Sequence, residues 1–362
     1  MKPRLVLPPA ETVSAYRAAL VPWYRENARD LPWRRDRSPY RIWVSEIMLQ
    51  QTQVATVIPY FEKFIRRFPT IKDLADAELD EVLHHWTGLG YYARGRNLHK
   101  AARLITSTLN GEMPQGAQAL QSLPGIGRST AGAIASIAQN LPAPILDGNA
   151  KRVLARFHAI PGYPGETATA KVLWQLAQTH TPLNRAAQYT QAIMDLGATL
   201  CTRRPDCRHC PLRETCKARN TASVDQYPGR KPKKDKPVRQ ARLFVVHDSH
   251  GRCLLEQRSA EGIWGGLWTP PERPASTSID EMLAEIDLPP RPLKKHVAPV
   301  FRHTFSHFHL DIEPVYLEID QPSHSVREAT RWRWHSPGEN ESFGLSAPAV
   351  RLLSSLEEYI LT

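Results

Sequence analysis

The chain has 362 residues, with 47 Lys and Arg against 36 Asp and Glu, a formal net charge of +11. Hydrophobic residues at 41% and charged residues at 23% suit a globular protein long enough for two domains, and no apolar run approaches the roughly 20 residues of a helical membrane span. The cationic excess favours nucleic acid or an acidic surface as partner.

The opening stretch, Met1 to Ala10, has an apolar run too short and too Pro-rich for a secretory signal. A reducing interior, cytoplasm or nucleoid, is therefore expected. Residues 11 to about 200 read as successive amphipathic helices punctuated by Pro and Gly. One begins at Ser38-Pro39, a good N-cap followed by a residue suited to the first helical position. Trp43, Val44, Ile47 and Met48 then keep the helical period, and Glu46 sits among them. Gln50 and Gln53 follow at i+4 and i+7, so all three share one helical face. A carboxyl group in such company is either a solvated surface acid or a partly desolvated one. The second case raises its pKa and suits a general acid.

Further along, Leu123-Pro-Gly-Ile-Gly127 joins two helical patterns. Gly125 and Gly127 permit a tight hairpin that leaves backbone N–H groups free at the next helix start, which suits a DNA phosphate or a plain helix–helix connection. Asp147, in Leu146-Asp-Gly-Asn149, precedes an amphipathic helix through Val153, Leu154 and Phe157. It reads either as a simple N-cap or as a carboxylate kept charged by the helix N-terminus. One neutral and one charged carboxyl group would divide the labour of glycosidic-bond cleavage.

Four of the five cysteines, Cys201, Cys207, Cys210 and Cys216, fall in one block spaced C-x5-C-x2-C-x5-C. Such clustering argues for a metal centre, a cubane iron–sulfur cluster or a tetrahedral zinc, rather than a disulfide framework. Arg203, Arg204, Arg208, Arg213, Lys217 and Arg219 make the loop basic, as a DNA-facing loop would be.

Residues 220–240 are polar, basic and Pro-rich, the composition of a linker. After them the pattern turns to short strands: a hairpin through 243–246 and 253–255, β-like stretches over 296–319, and helices near 279–286 and 347–359. The expected organisation is a helical domain over 1–219, a linker over 220–240 and a smaller α+β domain over 241–362. His303, His307 and His309 alternate, which would set them on one strand face. No carboxylate pattern accompanies them, so a metal site is not expected there. Cys253 reads as a plain strand hydrophobe.

Several of these residues, taken in order, carry a resemblance. Leu31-Pro-Trp33-Arg34, Ser45 to Val54, Gly88-Leu-Gly-Tyr-Tyr-Ala-Arg94, Leu123 to Gly127, Leu146 to Asn149 and the four cysteines together resemble the adenine DNA glycosylases of the MutY type. These belong to the helix-hairpin-helix superfamily that includes endonuclease III. The resemblance implies an all-α glycosylase domain with its hairpin at about 116–139 and a [4Fe–4S] cluster on the four cysteines. It implies a substrate of double-stranded DNA with A:8-oxoguanine or A:G mispairs, whose adenine is flipped into a pocket, and an enzyme acting as a monomer.

Glu46 matches the acid that protonates adenine at N7, Asp147 the carboxylate that stabilises the oxocarbenium sugar, and Asn149 a supporting residue. Trp33, Arg34 and Leu49 correspond to the adenine pocket. Gln50 and Tyr91 match positions that enter the base stack, and Gly125, Gly127 and Ser129 form the DNA-contacting hairpin.

Leu254 to Arg258, Ile263-Trp-Gly-Gly-Leu-Trp268 and Phe301 to His309 resemble the MutT-like domain of the same enzymes. That likeness implies recognition of 8-oxoguanine through Phe305, Ser306 and His307. The sequence departs from the patterns in three places. Bifunctional relatives, which act on oxidised pyrimidines, carry a lysine where Ser129 stands, and serine cannot form their Schiff base, so a monofunctional enzyme is expected. The first cysteine spacing is five rather than six. The Glu-rich helix of pyrophosphate-cleaving Nudix enzymes is missing, so no such hydrolysis is expected.

Overall fold

Ser38 starts the site-bearing helix as the sequence suggests: its Oγ accepts the Arg41 N–H (3.4 Å), and Pro39 occupies the first turn. The computed structural model describes residues 7–232, 235–288, 292–320, 331–336 and 343–360. The chain forms two units, Met1–Asp76 with Asn97–Lys233, and Ala77–Arg96 with Lys234–Thr362.

The first unit is helical. In chain order it holds α1 (Ala10–Asn27), α2 (Pro39–Met48), α3 (Val54–Arg67) and α4 (Ile71–Asp76). After α5 (Leu79–His84), which belongs to the second unit, come most of α6 (Ala93–Thr108), α7 (Gly116–Gln121) and α8 (Arg128–Gln139). Then follow α9 (Gly148–His158), α10 (Thr167–His180), α11 (Ala186–Thr199) and α12 (Lys217–Asn220). Helix α8 packs against α2, α7 and α11, and α11 also packs against α1 and α9. Small residues make this crowding feasible. Ala131, Gly132, Ala133 and Ala135 are buried on α8, and a Cβ on Gly132 would lie 2.3 Å from the Pro144 carbonyl oxygen. Tyr16, Trp43, Phe61, Phe64 and Phe157 are fully buried and fill the core, each contributing roughly 2 kcal/mol by leaving water.

One local expectation fails. Helix α2 stops at Met48, and Gln51 adopts a left-handed backbone (φ +59°) before α3 begins. Gln50 and Gln53 therefore do not continue the face of Glu46; Gln53 is instead the N-cap of α3.

Among the described residues, the second unit carries a mixed sheet with two helices from the C-terminal segment. Its elements are β1 (Val238–Asp248), β2 (Cys253–Gln257), β3 (Trp268–Thr269), β4 (Glu272–Pro274), α13 (Ile279–Glu285), β5 (Lys294–Val297), β6 (Phe301–Thr304), β7 (His309–Ile319), β8 (Trp332–His335) and α14 (Ala347–Ile360). The order β3-β2-β1-β7-β5 holds among the described residues, with β4 on β1, β6 on β7 and β8 on β2. Strands β1 and β7 run parallel from Val238↔His309 to Asp248↔Ile319, and the other strand pairs are antiparallel. Phe244, Val246, Leu254, Val315 and Leu317 bury one face against Met282 and Leu283 of α13. A capping box between Ser278 and Glu281 starts that helix. The three histidines do not share a strand: His303 lies on β6, His307 in the following turn and His309 on β7. Cys253 is buried, as a strand hydrophobe should be.

Candidate active site

Glu46 lies in the last turn of α2, with Val44, Ile47 and Met48 buried beside it. It borders a pocket together with Trp33, Arg34, Leu49, Gln191 and Met194. Burial removes water from the carboxyl group, and the Asp147 carboxylate repels a second negative charge. Arg34 opposes both, and the balance raises the Glu46 pKa to about 7. An acid of that strength holds its proton near neutrality and can still give it up.

Asp147 is the N-cap of α9. One carboxylate oxygen accepts the Ala150 N–H (2.8 Å) and the other the Asn149 N–H (3.1 Å). Capping and proximity to Glu46 thus coincide in one residue. Ser129 Oγ, at the start of α8, accepts the N–H of Leu146 (3.0 Å) and so holds the segment that leads into Asp147. Asn149 Oδ1 accepts from Arg152, which also donates to the carbonyls of Gly197 and Cys201. Gly197 on α11 lets Asn149 approach: an added Cβ would meet Asn149 Cβ at 2.5 Å.

The hairpin between α7 and α8 turns at Gly125 (φ +77°), where a Cβ would lie 2.8 Å from Asn97 Cβ. Gly127 caps α8 in an extended conformation with open space beside it. Gln50 donates to the Thr130 hydroxyl (3.2 Å), which ties the end of α2 to the start of α8.

Cys201, Cys207, Cys210 and Cys216 border one pocket, walled by Leu200, Pro205 and Val224 and flanked by Arg156, Arg213 and Arg219. Among the described residues no three His, Cys, Asp or Glu side chains gather as a single ion needs. Four thiols lining one pocket, with cations to offset thiolate charge, form a donor set that fits an iron–sulfur cluster. Arg156 Nη1 lies 3.4 Å from Cys201 Sγ and donates to the Thr202 carbonyl (2.6 Å).

Residues 44–179 match the HhH-GPD superfamily of base excision DNA repair proteins, and residues 242–355 match the NUDIX domain. The chain is 36% identical over 340 residues to the adenine DNA glycosylase of Buchnera aphidicola subsp. Acyrthosiphon pisum, covering 93% of this chain and 96% of that one. The adenine DNA glycosylase of Homo sapiens is 38% identical over 386 residues, covering 88% of this chain and 70% of the human one. The chain belongs to the adenine DNA glycosylase family. Its helical part also superposes on a thermostable thymine-DNA glycosylase, with a TM-score of 0.52, 26% identity and coverage of 58% of this chain and 98% of the other. Members of the family are hydrolases acting on N-glycosyl bonds, and DNA is the substrate class.

Within this glycosylase the structure adds residues that the sequence did not single out. Asp195 of α11, fully buried, accepts from Arg34 through both of its oxygens (2.7 and 2.8 Å) and from Arg29 (2.7 Å). Tyr24 donates to Gln191 on the pocket wall. The available signal was one acidic residue inside the apolar run Ala192-Ile-Met-Asp195-Leu-Gly197.

The remaining expected site residues lie in the second unit. Tyr91 is 48% exposed in a left-handed conformation (φ +49°). Phe305 is half-buried against Trp264 (5.0 Å) and Phe308 (4.5 Å), while Ser306 and His307 are exposed at the tip of the β6–β7 turn.

Proposed function

We propose that the enzyme excises adenine from A:8-oxoguanine and A:G mispairs in double-stranded DNA, hydrolysing the N-glycosidic bond to leave an abasic site. The observation that carries this reading is the pairing of Glu46, with its pKa raised to about 7, with the backbone-held carboxylate of Asp147. Glu46 gives its proton to adenine N7, so the base departs as a neutral leaving group. Asp147 faces the positive charge that builds on the sugar, and Asn149, braced by Arg152, supports it. Water then adds to the sugar. Ser129 offers no amine, and its hydroxyl is engaged with Leu146, which supports a monofunctional reaction.

A [4Fe–4S] cluster on the four cysteines is part of this reading, since iron–sulfur centres are general in the family. When bound it supplies a rigid anchor for the basic loop. Ser306 and His307 offer exposed donors and acceptors for the 8-oxoguanine edge, Tyr91 and Gln50 enter the stack, and the enzyme works as a cytoplasmic monomer.

Single-turnover release of adenine from duplexes with one A:8-oxoguanine, A:G, A:C or A:T pair tests the proposal. Release confined to the first two, with strand breaks only after alkali, is the expected result. Excision of thymine glycol without adenine release would overturn it.

A further inference from the structure

Residues 77–96 interrupt the helical unit in sequence, yet they pack with the Nudix-like domain. Three anchors fasten them. Asp80 on α5 accepts the Gln257 amide (3.0 Å) through one oxygen and the Trp268 indole N–H (3.2 Å) through the other. Tyr92 Oη donates to the Leu345 carbonyl (3.1 Å) and accepts the Gly88 N–H (3.3 Å). Arg96 donates to the Gly265 carbonyl (2.7 Å). The packing is also tight, because a Cβ on Gly344 would lie 2.8 Å from Leu83 Cβ.

The fastened segment presents Tyr91. Its loop turns through Gly88 (φ +91°) and Gly90 (φ +75°), and both the Trp86 indole (3.2 Å) and Arg94 (3.0 Å) donate to the Gly90 carbonyl. The Arg94 guanidinium lies 5.5 Å from the Tyr91 ring centre. An exposed aromatic ring therefore stands on a braced loop that Asp80, Tyr92 and Arg96 anchor to the sheet domain.

The anchoring turn has a second client. Trp264, next to the carbonyl that Arg96 binds, packs on Phe305 (5.0 Å) and His303 (5.3 Å) at the base of the turn that exposes Ser306 and His307. The turn is constrained: Trp264 is left-handed (φ +57°), and a Cβ on Gly265 would meet the Ala260 carbonyl oxygen at 2.5 Å. The stretch Trp264–Trp268 thus touches both the Tyr91 segment and the 305–307 turn.

We propose that Asp80, Tyr92 and Arg96 are positioning residues that lock the Tyr91 loop to the 305–307 turn, so that both engage the base opposite adenine as one body. The inference rests on the 8-oxoguanine reading above and adds to it how the selection is transmitted.

Single-turnover adenine excision from A:8-oxoguanine and A:G duplexes tests it, with Arg96→Ala, Tyr92→Phe, Asp80→Ala and Asp80→Asn compared with the unaltered enzyme. Loosening the frame is expected to slow the A:8-oxoguanine reaction about 10-fold and to leave A:G within about 2-fold. Asp80→Asn should restore most of the loss, since its amide oxygen still accepts from Trp268 and its NH2 can donate to a flipped Gln257. Paired with His307→Ala, each loosening variant should be non-additive on A:8-oxoguanine. Equal losses on both duplexes, additive effects, or an unchanged preference would each overturn the positioning role alone. An unaltered enzyme with no preference for 8-oxoguanine over G would instead overturn the reading beneath it. Tyr92→Phe, which removes only a hydroxyl, keeps the test open if an alanine variant fails to fold.

Discussion

Asp195 grips Arg34 through both carboxylate oxygens, at 2.7 and 2.8 Å, with its own side chain fully buried. Burial alone would raise the pKa of Asp195, but the hydrogen bonds and charges of Arg34 and Arg29 outweigh it and hold the group below the usual carboxylate range. Arg34 in turn is the cation that opposes the rise of Glu46. The pair therefore tempers the rise in Glu46 that burial and Asp147 drive.

Removing that anion should be costly. Asp195→Ala leaves two partly buried guanidinium groups unpaired, and a loss of about 3 kcal/mol in stability is expected by urea denaturation. Because its folded pKa is lowered, the contribution of Asp195 is present above the ordinary carboxylate range and fades as pH falls through the lowered value. A variant as stable as the parent at pH 7 would show that the arginines are solvated in place.

Glu46 makes the opposite prediction for pH. Only the protonated acid can donate, so the single-turnover rate should fall above about pH 7, approaching 10-fold per pH unit. Glu46→Gln should lower excision by about 100-fold or more while mismatch binding persists. Stability carries the same sign. A raised pKa favours folding while the group is neutral, and that advantage is lost as pH rises from 4.5 to about 7. The Gln variant, uncharged throughout, should therefore gain on the parent across that window. A rate that rises steadily from pH 6 to 9 would remove Glu46 as the acid.

These charges also mark where sequence was legible. Glu46 stood out because an acid among Trp43, Val44, Ile47 and Met48 breaks a helical apolar pattern, and Asp147 because a Gly-Asn follows it before an amphipathic helix. The helical half, the β1–β2 hairpin and the cysteine block were likewise visible, being local in the chain. The end of α2 was not, because a left-handed Gln51 carries no compositional warning. Asp195 was missed because its partners, Arg29 and Arg34, are more than 160 residues away in sequence. Nor does the pattern of residues 77–96 reveal that they fold with the sheet: their helical period is ordinary, and contacts such as the bonds of Asp80, Tyr92 and Arg96 assign them.

Ser129 should matter through one hydrogen bond rather than through chemistry at the sugar. Ser129→Ala strips the acceptor from the buried Leu146 N–H and is expected to cost about 1–2 kcal/mol. Excision should slow as well, because Asp147 is the next residue. Borohydride should trap little covalent DNA complex with either form. Trapping with the parent at the level of a lysine-bearing relative would refute the monofunctional assignment.

Gly197 offers the sharpest steric test. A methyl group there would sit 2.5 Å from Asn149 Cβ and 2.9 Å from its Cα, so the obstacle is largely backbone and cannot be relieved by turning a flexible side chain. Helices α9 and α11 must separate, which should cost about 1–3 kcal/mol. Separation would also shift Asn149 and the Arg152 bond to the Gly197 carbonyl. Gly197→Ala should therefore lose excision rate by more than its thermal destabilisation explains, when both are measured well below the melting temperature. If activity simply tracks the folded fraction, Asn149 has no positioning to lose, and its supporting role in the site falls with it.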